Sequence, residues 1–164
     1  MKPLRLCAKL GALTLVVGAV WVALLHTSKA TANDDIPGDG ASYLLTVTDS
    51  SGTFVARNVM TLHADHTMAM VDSDSGGPTA HFTEESGSWR PDSQAGAVGR
   101  TLDFNVPQSL GSIARLDFKI TFQHGGRQIA GTFTVASFPL QGDPFGTEGT
   151  DLNTFKFTGV LITP

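Results

Sequence analysis

The stretch Ile113–Phe138 reads IARLDFKITFQHGGRQIAGTFTVASF, and its pattern decides the fold class. Ala114, Leu116, Phe118, Ile120 and Phe122 alternate with Arg115, Asp117, Lys119 and Thr121. A period of two sends the first set to one face of an extended strand and the second set to the other. The His124-Gly125-Gly126-Arg127 that follows is a hairpin signal, because glycine accepts the positive φ of tight turns between twisted strands. On the return strand, Gln128 to Phe138, the residues Ile129, Gly131, Phe133 and Val135 again share one face.

Working outward, the same period recurs in shorter pieces. Tyr43, Leu45 and Val47 share a face, Asp49-Ser50-Ser51-Gly52 is a turn, and Thr53 to His63 follows as a strand. Ala64-Asp65-His66-Thr67 is a second tight turn, with His66 where Gly or Asn is the cheaper left-handed residue. Thr67 to Val71 is a third strand, and Asp72 to Thr79 is a polar loop. Short strands over His81–Thr83 and Gly87–Arg90 flank a bend at Glu84-Glu85-Ser86. Val98, Arg100, Leu102 and Phe104 alternate along the next strand, which places them together on its core face. A long loop, Pro139 to Leu152, precedes the last strand, Thr154 to Thr163, with Phe155, Phe157 and Leu161 on one face.

No helical periodicity longer than two turns occurs after Ala32. Seven to nine strands with hairpin-length links and no helix to cover a sheet must pair their own edges. The expectation is therefore all-β: a single antiparallel, mostly up-and-down barrel of about eight strands over residues 41–164, preceded by an N-terminal signal helix. A two-sheet sandwich is the competitor, but it is favoured by long connections, and only 139–152 is long.

The first 32 residues are of another kind. Lys2, Arg5 and Lys9 lead into an uncharged, mostly apolar run from Leu10 to Leu25, and the small-residue site Ala30-Thr31-Ala32 closes the segment. Basic, apolar, then A-x-A is the order of a secretory signal peptide, or of an N-terminal membrane anchor if it is not cleaved. Residues 33–40 read as a flexible linker. Cys7 precedes the apolar run, whereas a lipidated cysteine would follow it. The whole chain has 11 basic and 15 acidic residues and a net charge of −4. Without the leader, 7 basic residues face the same 15 acidic ones, the charge is −8, and no Cys is left. That excludes internal disulfides and cysteine zinc sites. It argues against nucleic acid as a partner and confines membrane contact to an uncleaved leader. With no N-glycosylation sequon, the expected setting is the bacterial periplasm or the extracellular space.

The run of hairpins across 41–163, the Gly87-Ser88-Trp89 triplet, and the segments Arg100–Phe104 and Ile113-Ala114-Arg115 resemble small exported lipocalin-like and allene-oxide-cyclase-like barrels. Lipocalins carry a Gly-x-Trp near the start of the first strand; here it sits mid-chain. The resemblance implies an eight-stranded barrel and a family that includes both ligand carriers and cyclases. It implies no catalytic residue.

Three functions are open on the sequence. The first is an exported barrel binding a small apolar or amphipathic molecule, with Tyr43, Trp89, Arg100, Phe104, Phe118 and Phe133 as ligand-binding candidates. Arg100 on an apolar face would need a partner to offset its desolvation, either an acidic or carbonyl group of the ligand or a salt bridge at the barrel rim. Asp103, Arg115 and Asp117 are further polar candidates. The second function is a cyclase or isomerase in which Tyr43 or Arg100 polarises a carbonyl. The third is periplasmic Cu(I) binding through His66, Met68 and Met70, a soft donor set; the same residues also read as a hairpin tip followed by two core methionines. Adjacent Glu84 and Glu85 face opposite ways in a strand and read as a solvated turn. No Gly-x-Ser-x-Gly elbow and no phosphate-cradling loop occurs, and no cofactor is implied. Both ligand readings require a cavity of about 300 Å³ or more, and inward Tyr, Arg or Asp on its walls would favour the enzyme.

Overall fold

A computed structural model describes residues 40–73, 82–92, 96–105 and 111–164. The leader and nearly all of the linker lie outside the described residues, and with them the signal helix. Eight strands follow one another: β1 (Ala41–Thr48), β2 (Phe54–Leu62), β3 (Thr67–Asp72), β4 (Glu85–Pro91), β5 (Gly96–Asn105), β6 (Ser112–Gln123), β7 (Gln128–Pro139) and β8 (Thr150–Leu161). Each pairs with the next, and β1 pairs antiparallel with β8, so the sheet is a closed barrel. The barrel excludes the sandwich. Hairpin-length links leave each strand beside its predecessor, and closure removes both free edges.

One end of the barrel carries the β2–β3, β4–β5 and β6–β7 connections and is filled. Tyr43, Leu62, Met68, Trp89, Phe122 and Ile129 pack there in a continuous core. Tyr43 donates its hydroxyl to the Gly126 carbonyl at 2.8 Å, and Trp89 Nε1 donates to the His63 carbonyl at 3.0 Å. Two aromatic side chains thus tie two hairpin turns across that end. His66 takes the left-handed conformation with φ 69°. The turn compensates for its strain: Asp65 Oδ1 accepts from Thr67 N and Oγ1, and the His66 ring stacks on Trp89 at 5.1 Å.

Three local expectations are corrected. Val98, Arg100, Leu102 and Phe104 face outward, and Ala97, Gly99, Thr101 and Asp103 face the interior. The inward residues of β5 are small because large neighbours occupy the space; a Cβ at Gly99 would stand 2.8 Å from the Met68 sulfur. Leu102 is covered instead by an outer cluster of Ile113, Ala136 and Phe138, while Phe104 is 49% exposed. Glu85 is no solvated turn residue: it opens β4, inside the barrel. Finally, β8 begins at Thr150, within the segment expected to be loop, and of the expected strand around His81–Thr83 only the Phe82↔Asn105 bridge forms among the described residues.

The outer cluster is held by the segment between β7 and β8. Arg115 Nη1 donates to the Pro144 and Gly146 carbonyls at 2.7 and 3.0 Å, and its guanidinium lies 5.0 Å above the Phe138 ring. Asp117 pairs with both Arg100 and Arg115 on the outer surface. Arg100 is neither an inward anchor nor a rim residue: it forms its salt bridge mid-strand on the outer wall.

Candidate functional site

At the other end, where β1–β2, β3–β4, β5–β6 and β7–β8 connect, the described residues do not fill the interior. A pocket of about 270 Å³ opens between the strand ends. The sequence sets its two unlike walls. The inward rows of β1, β6, β7 and β8 supply Val47, Leu116, Phe133 and Phe155, with Phe133 and Phe155 stacked at 5.2 Å. The inward row of β2 opens with Ala56 and Asn58, that of β4 begins with Glu85, and that of β5 carries Asp103 near its end. Asp72, at the end of β3, completes a polar side.

Antiparallel register brings these residues together. Asn58 pairs with Asp72 across β2–β3, Met70 with Glu85 across β3–β4, and Gly87 with Thr101 across β4–β5. Asn58 Nδ2 donates to Asp72 Oδ2 at 2.9 Å, and Thr101 Oγ1 donates to Glu85 Oε2 at 2.7 Å. Among the described residues, two acceptors here have no hydrogen-bond partner, Asn58 Oδ1 and Asp103 Oδ1, and both are shut off from solvent. Both belong to deeply buried residues, with Asn58 2% and Asp103 5% exposed.

Burial governs the electrostatics. It pushes Glu85 up from 4.5 to about 8, with Asp103 and Asp72 adding repulsion and the Thr101 bond opposing. Burial also lifts Asp103 to about 6, against a hydrogen bond from the Ala114 backbone and with repulsion from Asp72. Burial thus favours the neutral form of both carboxyls, Glu85 more strongly than Asp103. One wall carries these two carboxyls, and the opposite wall is apolar.

Of the residues singled out on sequence, Phe133 lines this pocket. Phe118 packs against Phe133 at 5.2 Å, deeper in the barrel. Tyr43 and Trp89 belong to the filled end, with Tyr43 pushed up to about 12 by burial. Arg100 and Phe104 are on the outer surface. Met68 and Met70 are core residues, whereas His66 lies exposed on Trp89. A larger hollow of about 880 Å³ lies outside the barrel by Arg90, Arg100, Lys119 and Phe145, but Arg100 there is already paired with Asp117.

Glu85, Asp103, Asn58 and Thr101 were not singled out as an inward cluster. The signal existed: Asn58 alternates with Ala56, Met60 and Leu62, and Glu85 with Gly87 and Trp89, each polar residue in phase with a buried row. The chain matches no protein-family model, no curated protein and no solved structure.

Proposed function

We propose that this barrel binds a small amphipathic molecule in the pocket at its open end. The observation that carries this reading is the pocket itself, in which an apolar wall of Val47, Leu116, Phe133 and Phe155 faces a side that holds Asn58, Asp72, Glu85 and Asp103. The volume, about 270 Å³, lies just under the roughly 300 Å³ at which ligand pockets begin, which restricts the ligand to a small one.

Native mass spectrometry of the protein purified from its own host tests it. A small co-purifying organic mass is expected, and it should be lost when Ala114→Leu adds bulk to the pocket wall. Protein that is empty from its host, and whose mass spectrum Ala114→Leu does not change, overturns the reading.

A second reading has its own observation. Two carboxyls on neighbouring strands that hold their protons unequally, Glu85 raised to about 8 and Asp103 to about 6, suit an isomerase. Asp103 would take a proton from a carbon of the substrate while Glu85 gives its proton to another, leaving the substrate's composition unchanged. Deuterium entering the co-purified compound in D₂O, and failing to enter with Asp103→Asn, would establish this step; its absence in the unmodified protein would leave a carrier.

A further inference from the structure

We infer that the hollow on the outer wall of the barrel binds an anionic glycan, a saccharide chain in which carboxylated sugars alternate with neutral ones. The site is separate from the open-end pocket and does not depend on it.

Register sets the pattern of this wall. Arg90 stands beside Val98, Val98 beside Lys119, Lys119 beside Thr132, and Thr132 beside Lys156, in one row across β4 to β8. Cations and uncharged residues alternate along the row, and at about 4.8 Å per strand each cation stands about 10 Å from the next at the backbone. Arg90, Lys119 and Lys156 are exposed, and among the described residues no carboxylate pairs with any of the three. Five of the seven basic residues that follow the leader, these three with Arg100 and Arg115, lie on β4, β5, β6 and β8. Asp117, the carboxylate among them, is shared between Arg100 and Arg115. A domain with a surplus of acid thus presents one positive wall, and a concave surface focuses such a field.

The lining favours a saccharide. The hollow, of about 880 Å³, holds Arg90 and Lys119 together with the hydroxyls of Ser88, Thr132, Thr134 and Thr154. Each hydroxyl can both donate and accept, which matches the hydroxyls of a sugar. The β7–β8 connection adds Phe145, which is 65% exposed although Arg115 holds the carbonyls of its two neighbours, Pro144 and Gly146. An aromatic ring held in the open offers a flat, electron-rich face to the C–H face of a sugar ring. An acidic peptide would also have main-chain groups to satisfy, which it commonly does at a free sheet edge. Closure of β1 on β8 leaves no such edge among the described strands. Single-stranded nucleic acid stacks successive bases on several rings, whereas Phe145 is the exposed ring among the described residues here.

The test uses three probes: a hexasaccharide of alternating glucuronate and N-acetylglucosamine, the same hexasaccharide with its carboxylates methyl-esterified, and a six-residue peptide of alternating Glu and Ser. Each is titrated at pH 7 and low salt into the isotopically labelled protein and followed by amide NMR shifts. The acidic hexasaccharide is expected to shift the amides of Arg90, Lys119, Thr132 and Thr134 and to bind about tenfold or more tightly than either of the others. Equal binding of the ester would remove the cations from the site and overturn the inference. Equal binding of the peptide would reduce the attraction to charge alone, and the glycan assignment falls. No shift on this wall, or shifts confined to Asn58, Glu85 and Asp103 in the open-end pocket, overturns the site itself. Arg90→Gln with Lys119→Gln should weaken the acidic hexasaccharide about tenfold, whereas Arg57→Gln with Arg127→Gln, the two basic residues away from this wall, should leave it unchanged. Equal losses in the two double variants would mean unspecific attraction and overturn the inference. Should the first double variant not fold, the three-probe comparison on the unmodified protein decides alone.

Discussion

Thr101 Oγ1 donates a 2.7 Å hydrogen bond to Glu85 Oε2 inside the barrel, between a side chain that is 0% exposed and one that is 4% exposed. A hydroxyl can donate to a carboxylate or to the carbonyl oxygen of a carboxylic acid, so this bond survives the titration of Glu85. What does not survive is the energy of the charged form. Glu85 is held at about 8 against 4.5, so between these values the folded chain binds a proton that the unfolded chain has released. Stability must then fall as pH rises through that window, by about 1.4 kcal/mol per pH step at most, and level off above it.

Glu85→Gln keeps the side-chain volume and an oxygen for Thr101, and it cannot ionise. Urea midpoints at pH 5, 7 and 9 should drop with pH in the unmodified protein and drop less in the variant. Asp103, raised to about 6, adds a slope of the same sign at lower pH in both proteins. Parallel midpoint curves for the two proteins would show that Glu85 is ionised in the fold.

Thr101→Val removes the donor and keeps the shape. Glu85 Oε2 is then left without this partner in a buried site, and a loss of about 1–3 kcal/mol is expected. Thr101→Ser, which retains the hydroxyl, should lose less. Chemical denaturation of the three proteins at pH 5 separates the hydrogen bond from the methyl group. Equal losses for Val and Ser would assign the effect to packing.

Gly131 faces the interior of β7, where a Cβ would run into the Lys119 carbonyl oxygen and stand 2.6 Å from Phe157 Cζ. Backbone on one side and a packed ring on the other leave nothing to yield. Gly131→Ala should cost about 3 kcal/mol or prevent folding. Gly52, with φ 87° and open space around it, is the contrasting site: Gly52→Ala should cost about 1 kcal/mol through backbone strain alone. Thermal unfolding of both variants gives the comparison, and a Gly131→Ala protein as stable as Gly52→Ala would contradict the packing.

Arg115 holds the β7–β8 connection through the Pro144 and Gly146 carbonyls. Arg115→Met keeps an apolar stem over Phe138 and removes both bonds. Limited proteolysis should then cut between Leu140 and Gly149 several-fold faster, with the barrel core still resistant. Unchanged cleavage would mean that the contact of Gly149 with Phe138 fixes this segment without the arginine.

The barrel was legible because its longest hairpin is unambiguous. Ala114 to Phe122 alternates without a break, and every second residue there is buried as the period requires. β5 was misread because its inward row is Ala97, Gly99, Thr101 and Asp103, whereas its outward row contains Val98, Leu102 and Phe104. Alternation shows that two faces differ; it does not reveal that Met68 already occupies the space opposite Gly99. The pocket's polar wall was hidden for a related reason. Asn58, Glu85 and Asp103 come from three strands, and only the barrel register brings them to one level. A single strand read alone puts Asp103 on the face opposite Leu102 and Phe104, and it shows Asn58 and Glu85 in phase with buried rows without showing that they meet.

Closure between β1 and β8 has a consequence in time. Val47 pairs with Phe157, 110 positions later in the chain. Until the last strand is in place, β1 and β7 both present unsatisfied backbone along their length, and the loop that must close is nearly the whole domain. Non-local pairing of this kind is slow to form. The barrel therefore stays open until β8, Thr150–Leu161, is in place, and until then its unpaired edges are open to strand-by-strand association with other chains.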